Sequence, residues 1–210
     1  MDNGTKLKCH PGLNLIHGHG HEAKNETALF GFWVFMMSDL ILFGLLFAIY
    51  ITTIGVTAGG PGPKELFDFT SLGIQTALLL TSSMTIGMAT FALKHPRHHW
   101  QLVPWLLVTL ALGAGFLYFE VTDFMNMAAA GAAPSRSGYL SAFYALVGLH
   151  GFHVAASSVW MIVLLIQLAV FGSVNIVKSR LLRLALLWHF LDVIWIGIFN
   201  IVFFYGWLYG

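Results

Sequence analysis

Residues 139–171 read YLSAFYALVGLHGFHVAASSVWMIVLLIQLAVF, a run that contains no lysine, arginine, aspartate or glutamate. A helix of about 20 predominantly apolar residues crosses the hydrocarbon core of a bilayer, so this run is long enough to span it with tilt. The core of a soluble domain does not need apolar runs of this length. The segment therefore indicates a transmembrane helix and decides the fold class.

Four other runs have the same character and also exceed the spanning length of about 20 residues. Breaks rich in glycine and proline separate them, such as AGGPGP at 58–63, which cannot continue a helix. The sequence therefore predicts an all-α, polytopic membrane protein. Its five transmembrane helices are predicted at about 29–54, 69–93, 102–127, 139–171 and 184–208.

The composition supports this class and excludes others. The chain is 58% hydrophobic and 9% charged, whereas a soluble domain carries about 25% charged residues. Its formal net charge is +1, which gives no sign of a nucleic-acid partner. The single cysteine, Cys9, cannot form an internal disulfide, and no CxxC or CxxCH motif is present. Copper or iron–sulfur clusters ligated by cysteine are therefore not expected, and we expect this chain to carry no metal and no redox cofactor of its own.

The polar and charged segments predict the topology. Residues 1–27 are rich in glycine, asparagine and histidine, and we expect a flexible cytoplasmic tail before a membrane domain at 28–210. Of the ten basic residues, only Lys64 and Arg136 fall on the opposite side from this tail. The positive-inside rule then predicts a cytoplasmic N-terminus and a periplasmic C-terminus.

Five ionisable residues are predicted to share one buried layer of the membrane. Asp39 lies about 15 Å into helix 1 from the cytoplasmic side, and His189 and Asp192 lie about 8–12 Å into helix 5. His150 and His153 on helix 4 lie about 10–15 Å from the same face. Such groups are costly inside a membrane, so each requires a compensating partner. We expect Asp39 to hydrogen-bond to His150 or His153.

Three functions are open for this buried polar layer. A structural layer is favoured, because neighbouring carboxylates can accept hydrogen bonds from the imidazole N–H groups. A proton relay would need a chain of such groups that reaches both faces. Ligation of a b-type haem would need two imidazoles facing each other across a cavity.

Further polar residues lie nearer the membrane surfaces. Glu120 and Asp123, near the outer end of helix 3, are expected to reach the interface, with Arg136 as a salt-bridge partner. The three histidines within 17–21 alternate with glycine, which supplies no rigid geometry for a metal. The candidates for contact with phospholipid head groups are Arg97, His98, Arg180 and Arg183.

Several motifs resemble a known family, the five-helix form of haem–copper oxidase subunit III. The likeness is strongest at 137–153, SGYLSAFYALVGLHGFH, and at 188–195, WHFLDVIW. It extends to 31–43, GFWVFMMSDLILF, and to 112–116, LGAGF, with Glu120 following. Together these segments represent the chain from about residue 29 to its C-terminus, and motifs at this spacing are highly specific.

The resemblance implies a non-redox core subunit of a proton-translocating respiratory terminal oxidase in the bacterial inner membrane. Haems and copper would belong to subunit I, the direct partner, with subunits II and IV in the same complex. Phospholipid would lie in a groove between the first two helices and the last three. Asp39 stands where the mitochondrial-type family carries a buried glutamate, so the acid is kept but shortened.

The branch within that family is indicated by smaller segments. Residues 37–39, 57–61 and 136–143 look most like the ubiquinol-oxidising branch of cytochrome bo type, with a cytochrome c oxidase as the alternative. Two functions from other classes are also open, a b-type membrane cytochrome and a small transporter. A transporter would often show an internal repeat and interrupted helices at the midplane, and neither is evident in the sequence.

Overall fold

A computed structural model describes residues 15–55, 69–94, 101–171 and 174–205. The regular elements within these ranges are all helical, and five of them are long and apolar enough to cross a membrane. This confirms the predicted class for the described part of the chain. The helices are α1 (Leu15–Thr53), α2 (Phe69–Lys94), α3 (Leu102–Ala129), α4 (Gly138–Phe171) and α5 (Val174–Ile198), and α5 continues as a π-helix over Phe199–Tyr205.

Two helices begin earlier than predicted. Helix α1 starts at Leu15, inside the segment expected to be a flexible tail, and α5 starts at Val174 instead of residue 184. The residues just before the apolar part of α1 include the good helix formers glutamate, alanine and lysine. The first ten residues of α5 contain no glycine or proline. Polarity therefore marks where the membrane-spanning part starts, and the helix itself extends beyond it.

The chain divides into two compact units, Met1–Leu40 and Ile41–Gly210. The first unit contains most of α1, and the second contains the end of α1 with the other four helices. Within the second unit α2 packs on α3, α3 on α4, α4 on α5, and α5 on α2. α2 therefore packs directly against two of the last three helices, and the phospholipid groove expected between the first two helices and the last three stays a prediction.

Hydroxyl groups on α2 hold α5 along one seam. Trp188 donates its indole N–H to Ser82 Oγ at 2.9 Å, and Trp195 donates to Thr76 Oγ1 at 3.1 Å. These bonds define the α2–α5 seam. In a membrane, apolar contact alone does not drive helices together, so close packing and hydrogen bonds between helices must contribute.

Close approach at Trp188 requires a glycine on α3. A Cβ added to Gly113 would lie 2.9 Å from Cη2 of Trp188, closer than real contacts of this kind. Thr109, on the same helix, shares a hydrogen bond of 2.7 Å with Thr85 of α2. The indole is therefore enclosed between a hydroxyl of α2 and the backbone of α3.

The last turns of α1 are fixed to α4 and to the π-helix. Tyr50 is fully buried and donates its hydroxyl to the carbonyl of Val202 at 3.0 Å. Its ring lies 5.6 Å from that of Tyr139, measured between centroids. A π-helix interrupts the regular α-helical hydrogen-bond pattern, so the carbonyl of Val202 can accept a hydrogen bond from a side chain.

Candidate functional site: polar side chains between the helices

His150 of α4 lies in an aromatic enclosure. Its side chain is 0% exposed, and its ring centroid lies 6.4 Å from Phe43, 5.8 Å from Phe116 and 5.3 Å from Trp195. Within the described residues neither ring nitrogen has a hydrogen-bond partner. The expected carboxylate partner is therefore absent from the described part of the structure, and aromatic rings from α1, α3 and α5 surround the imidazole instead.

Glu120 of α3 is also buried, at 4% exposure, and no described residue hydrogen-bonds to either carboxyl oxygen. Its carboxyl group lies against the backbone of Gly151, where an added Cβ would overlap it. The prediction that this acid reaches the interface is wrong, because Gly151 leaves room for it between two helices. Glu120, His150 and Gly151 together form what we name the α3–α4 polar site.

Asp123 has hydrogen-bond partners on α2. Its Oδ2 accepts hydrogen bonds from Ser71 Oγ at 2.8 Å and from Gln75 Nε2 at 2.6 Å. Arg136, the predicted salt-bridge partner, donates instead to the carbonyl of Gly131 at 2.9 Å. Gly131 has a positive φ of 79° at the end of α3, which presents its carbonyl to the arginine. The predicted ion pair is therefore wrong in the described structure.

His189 and Asp192 of α5 meet Ser83 of α2. Ser83 Oγ lies 2.8 Å from His189 Nδ1 and beside the carboxyl group of Asp192, which is 5% exposed. His189 itself is exposed, so its predicted place in a buried layer is wrong. Trp188 faces the helices, and the next residue lies about 100° further around α5, towards the outside.

His153 and Asp39 complete the predicted layer. His153 is half-buried, donates from Nδ1 to the carbonyl of Leu149 at 2.8 Å, and lies 5.5 Å from Phe43 between ring centroids. Asp39 belongs to the first unit and is 9% exposed. Because neither nitrogen of His150 has a hydrogen-bond partner among the described residues, only the expected pairing of Asp39 with His153 stays a prediction.

The basic candidates for lipid contact lie at the start of α5. Arg180 donates to Gln167 Oε1 at 2.8 Å, and Arg183 donates to the carbonyl of Ser179 at 3.2 Å. Both lie in α5, whereas the predicted start of this helix at residue 184 had placed them in a loop. Arg97 and His98 fall outside the described residues.

The sequence interpretation missed the partners supplied by α2. Ser71 and Gln75 lie four residues apart, which places them on one helix face and was a usable signal. Ser83 carried no such signal, because serine is common in membrane helices. In the described ranges, no group of three or more histidine, cysteine, aspartate or glutamate side chains could hold a metal ion.

Comparison with known proteins assigns the family. The family model for cytochrome c oxidase subunit III matches residues 14–208. Subunit 3 of the cytochrome bo(3) ubiquinol oxidase of Pseudomonas aeruginosa is 42% identical over 190 residues, which is 90% of each chain. The corresponding Pseudomonas putida protein is 41% identical over 186 residues, or 89% of each chain. Quinol oxidase subunit 3 of Bacillus subtilis is 39% identical over 196 residues, 90% of this chain and 96% of that one. These matches confirm the resemblance seen in the sequence motifs, and the chain belongs to the cytochrome c oxidase subunit III family.

Proposed function

We propose that this chain is the non-redox subunit III of a ubiquinol oxidase of cytochrome bo type in the bacterial inner membrane. The observation that carries the proposal is similarity, over 90% of this chain, to proteins named as subunit 3 of ubiquinol and quinol oxidases. In this proposal, oxygen reduction occurs at the haems and copper of subunit I. The present chain contacts subunit I directly, and subunits II and IV belong to the same complex.

The contribution of the chain is structural in this proposal. Four helices pack in a closed order, and side-chain hydrogen bonds join α2 to both α3 and α5. Each interhelical hydrogen bond in a membrane contributes about 0.6 kcal/mol on average, so several together with close packing are needed for a firm bundle. Such a bundle suits a subunit that supports its catalytic neighbour.

The proposal includes an orientation and a lipid contact. Eight of the ten basic residues lie on the side of the N-terminus, which favours a cytoplasmic N-terminus and a periplasmic C-terminus. Lys178 and Arg180 are exposed in the first turns of α5, where anionic phospholipid head groups would attract them. A reporter that works only in the periplasm should therefore be active when it is fused to the C-terminus. Activity of a reporter that works only in the cytoplasm, fused at the same place, would contradict this orientation.

The electron donor gives the direct test. The complex is purified through a tag on this chain and supplied with either ubiquinol or reduced cytochrome c. We expect oxygen uptake with ubiquinol. Oxygen uptake with cytochrome c alone would favour the second candidate, subunit III of a cytochrome c oxidase, which the family description names. If no haem protein copurifies with the tagged chain, both candidate functions are refuted.

A further inference from the structure

An exposed imidazole lies near the middle of the membrane. His189 is twelve residues after the start of the span Val177–Phe203 and fourteen before its end. Ser83, which holds its Nδ1, is similarly central in the span Thr70–Leu93. At 1.5 Å per residue, His189 is about 18 Å along its span, too deep for a short side chain to reach either head-group region.

The second ring nitrogen of His189 has no partner in the described residues. Ser83 engages Nδ1, so Nε2 faces outward from the α2–α5 seam. Hydrocarbon chains offer no hydrogen bonds, and an unsatisfied polar group in such a medium is costly. Polar residues within membrane spans almost always face protein or a water-filled cavity for this reason.

The imidazole belongs to a continuous outer stripe of α5. His189, Val193, Ile196 and Asn200 are exposed and follow one another at intervals of four, three and four residues, which places them on one face. Asn200 is exposed, and its side-chain amide donates to the carbonyl of Ile196 at 2.7 Å. A stripe with two polar side chains in an apolar surrounding matches the surface of another membrane helix better than lipid.

We propose that this stripe is the surface on which a transmembrane helix of subunit I docks. A side chain of that helix would hydrogen-bond to His189 Nε2. A hydroxyl or amide group fits either tautomer of the imidazole, because each can both donate and accept. The inference rests on the proposed function, since it assigns the face through which the chain meets its partner.

Photochemical crosslinking in the intact complex tests the surface. A photoreactive amino acid replaces Val193 of the stripe or, as control, Val159, which is exposed on α4. We expect a crosslink to subunit I from position 193 and a much weaker one from 159. A crosslink from 193 to a second copy, to another subunit or to lipid only, or equal crosslinks from both positions, would overturn the docking surface. A complex that purifies without any haem protein would instead refute the proposed function.

Substitutions separate docking from packing within the chain. His189→Leu should lower retention of this chain in the detergent-purified complex about threefold, the factor that about 0.6 kcal/mol gives at 1.4 kcal/mol per tenfold. His189→Gln should restore most of that loss. Ser83→Ala removes only the internal hydrogen bond and should leave retention unchanged. Equal loss in His189→Leu and Ser83→Ala would assign the imidazole to the α2–α5 seam alone and overturn the proposal.

Discussion

The α2–α5 seam and the α3–α4 polar site accommodate polar groups in opposite ways. Along the seam, donors find acceptors on the facing helix, as Trp188 does at Ser82 and Trp195 at Thr76. At the α3–α4 polar site, Glu120 and His150 are buried without a hydrogen-bond partner among the described residues. Hydrogen bonds between side chains stabilise the seam. At the α3–α4 polar site, Glu120 and His150 are accommodated by the shape of the space between the helices.

This difference predicts where the chain tolerates change. A hydrogen bond between membrane helices contributes only about 0.6 kcal/mol on average, so the loss of one bond in the seam is mild. Added volume at the α3–α4 polar site displaces the carboxyl group of Glu120, which is buried and has no hydrogen-bond partner among the described residues. Steric substitutions at the site should therefore cost more than the loss of a donor in the seam.

The largest effect is expected at Gly151. Gly151→Ala places a methyl group on the carboxyl group of Glu120 and should cost about 2–3 kcal/mol, at the upper end for overpacking. Thermal unfolding of the purified complex, followed through release of this chain, measures the loss. Gly148→Ala is the matched control, since its Cβ would meet Phe124 at an ordinary 3.7 Å. Addition of Glu120→Ala should rescue Gly151→Ala, and absence of rescue would show that the carboxyl group is not the obstacle.

The next effect concerns the enclosure of Trp188. Gly113→Ala would bring a methyl group to 2.9 Å of the indole, and we expect a loss of about 1–2 kcal/mol as the ring shifts away from Ser82. Gly115→Ala, whose Cβ would lie 3.6 Å from Leu78, should be neutral in the same measurement. Equal melting temperatures for the two variants would contradict this packing.

A smaller effect is expected at Asp123. Asp123→Leu leaves Ser71 and Gln75 without their acceptor and should cost about 1 kcal/mol, because the site is only partly buried. Asp123→Asn keeps an acceptor oxygen and should lose less than half of that. Chemical unfolding in mild detergent compares the two. A milder loss for leucine than for asparagine would mean that the interaction with α2 is not stabilising.

The smallest effect concerns the hydroxyl pair between α2 and α3. Thr85→Val removes one partner of Thr109 without much change of volume, and the expected loss is about 0.6 kcal/mol. Thr109 also donates to the carbonyl of Trp105, so its hydroxyl keeps a partner. The same unfolding measurement applies, with Thr90→Val as control, since the hydrogen bond of Thr90 among the described residues is to Gly87 of its own helix. A loss above that of Gly151→Ala would reverse the ranking of the two regions.

The sequence predicted the helices well because long apolar runs leave few alternatives in a membrane. The bounds of α2, α3 and α4 agree with the prediction to within two residues. The starts of α1 and α5 were missed, since polarity marks the membrane edge and not the end of helical hydrogen bonding. The early start of α5 carries Lys178, Arg180 and Arg183 into its first turns.

The candidate site was only partly predictable. His189 and Asp192 both lie beside Ser83, but the depth estimate could not say that His189 is exposed while Asp192 is buried. Glu120 was expected at the interface, but it is buried in the space that Gly151 leaves by having no side chain. A space left by glycine on another helix has no signature in the residues around the glutamate itself.

The claim that this chain supplies structure and not electron transfer has one direct test. The oxidase is purified through a tag on subunit I from strains that carry Gly151→Ala or the control Gly148→Ala. The content of this chain and the haem absorption spectrum per subunit I are then measured together. We predict that Gly151→Ala complexes are depleted of this chain while their haem spectrum is unchanged. A haem signal that falls in proportion to the loss of the chain would contradict the claim.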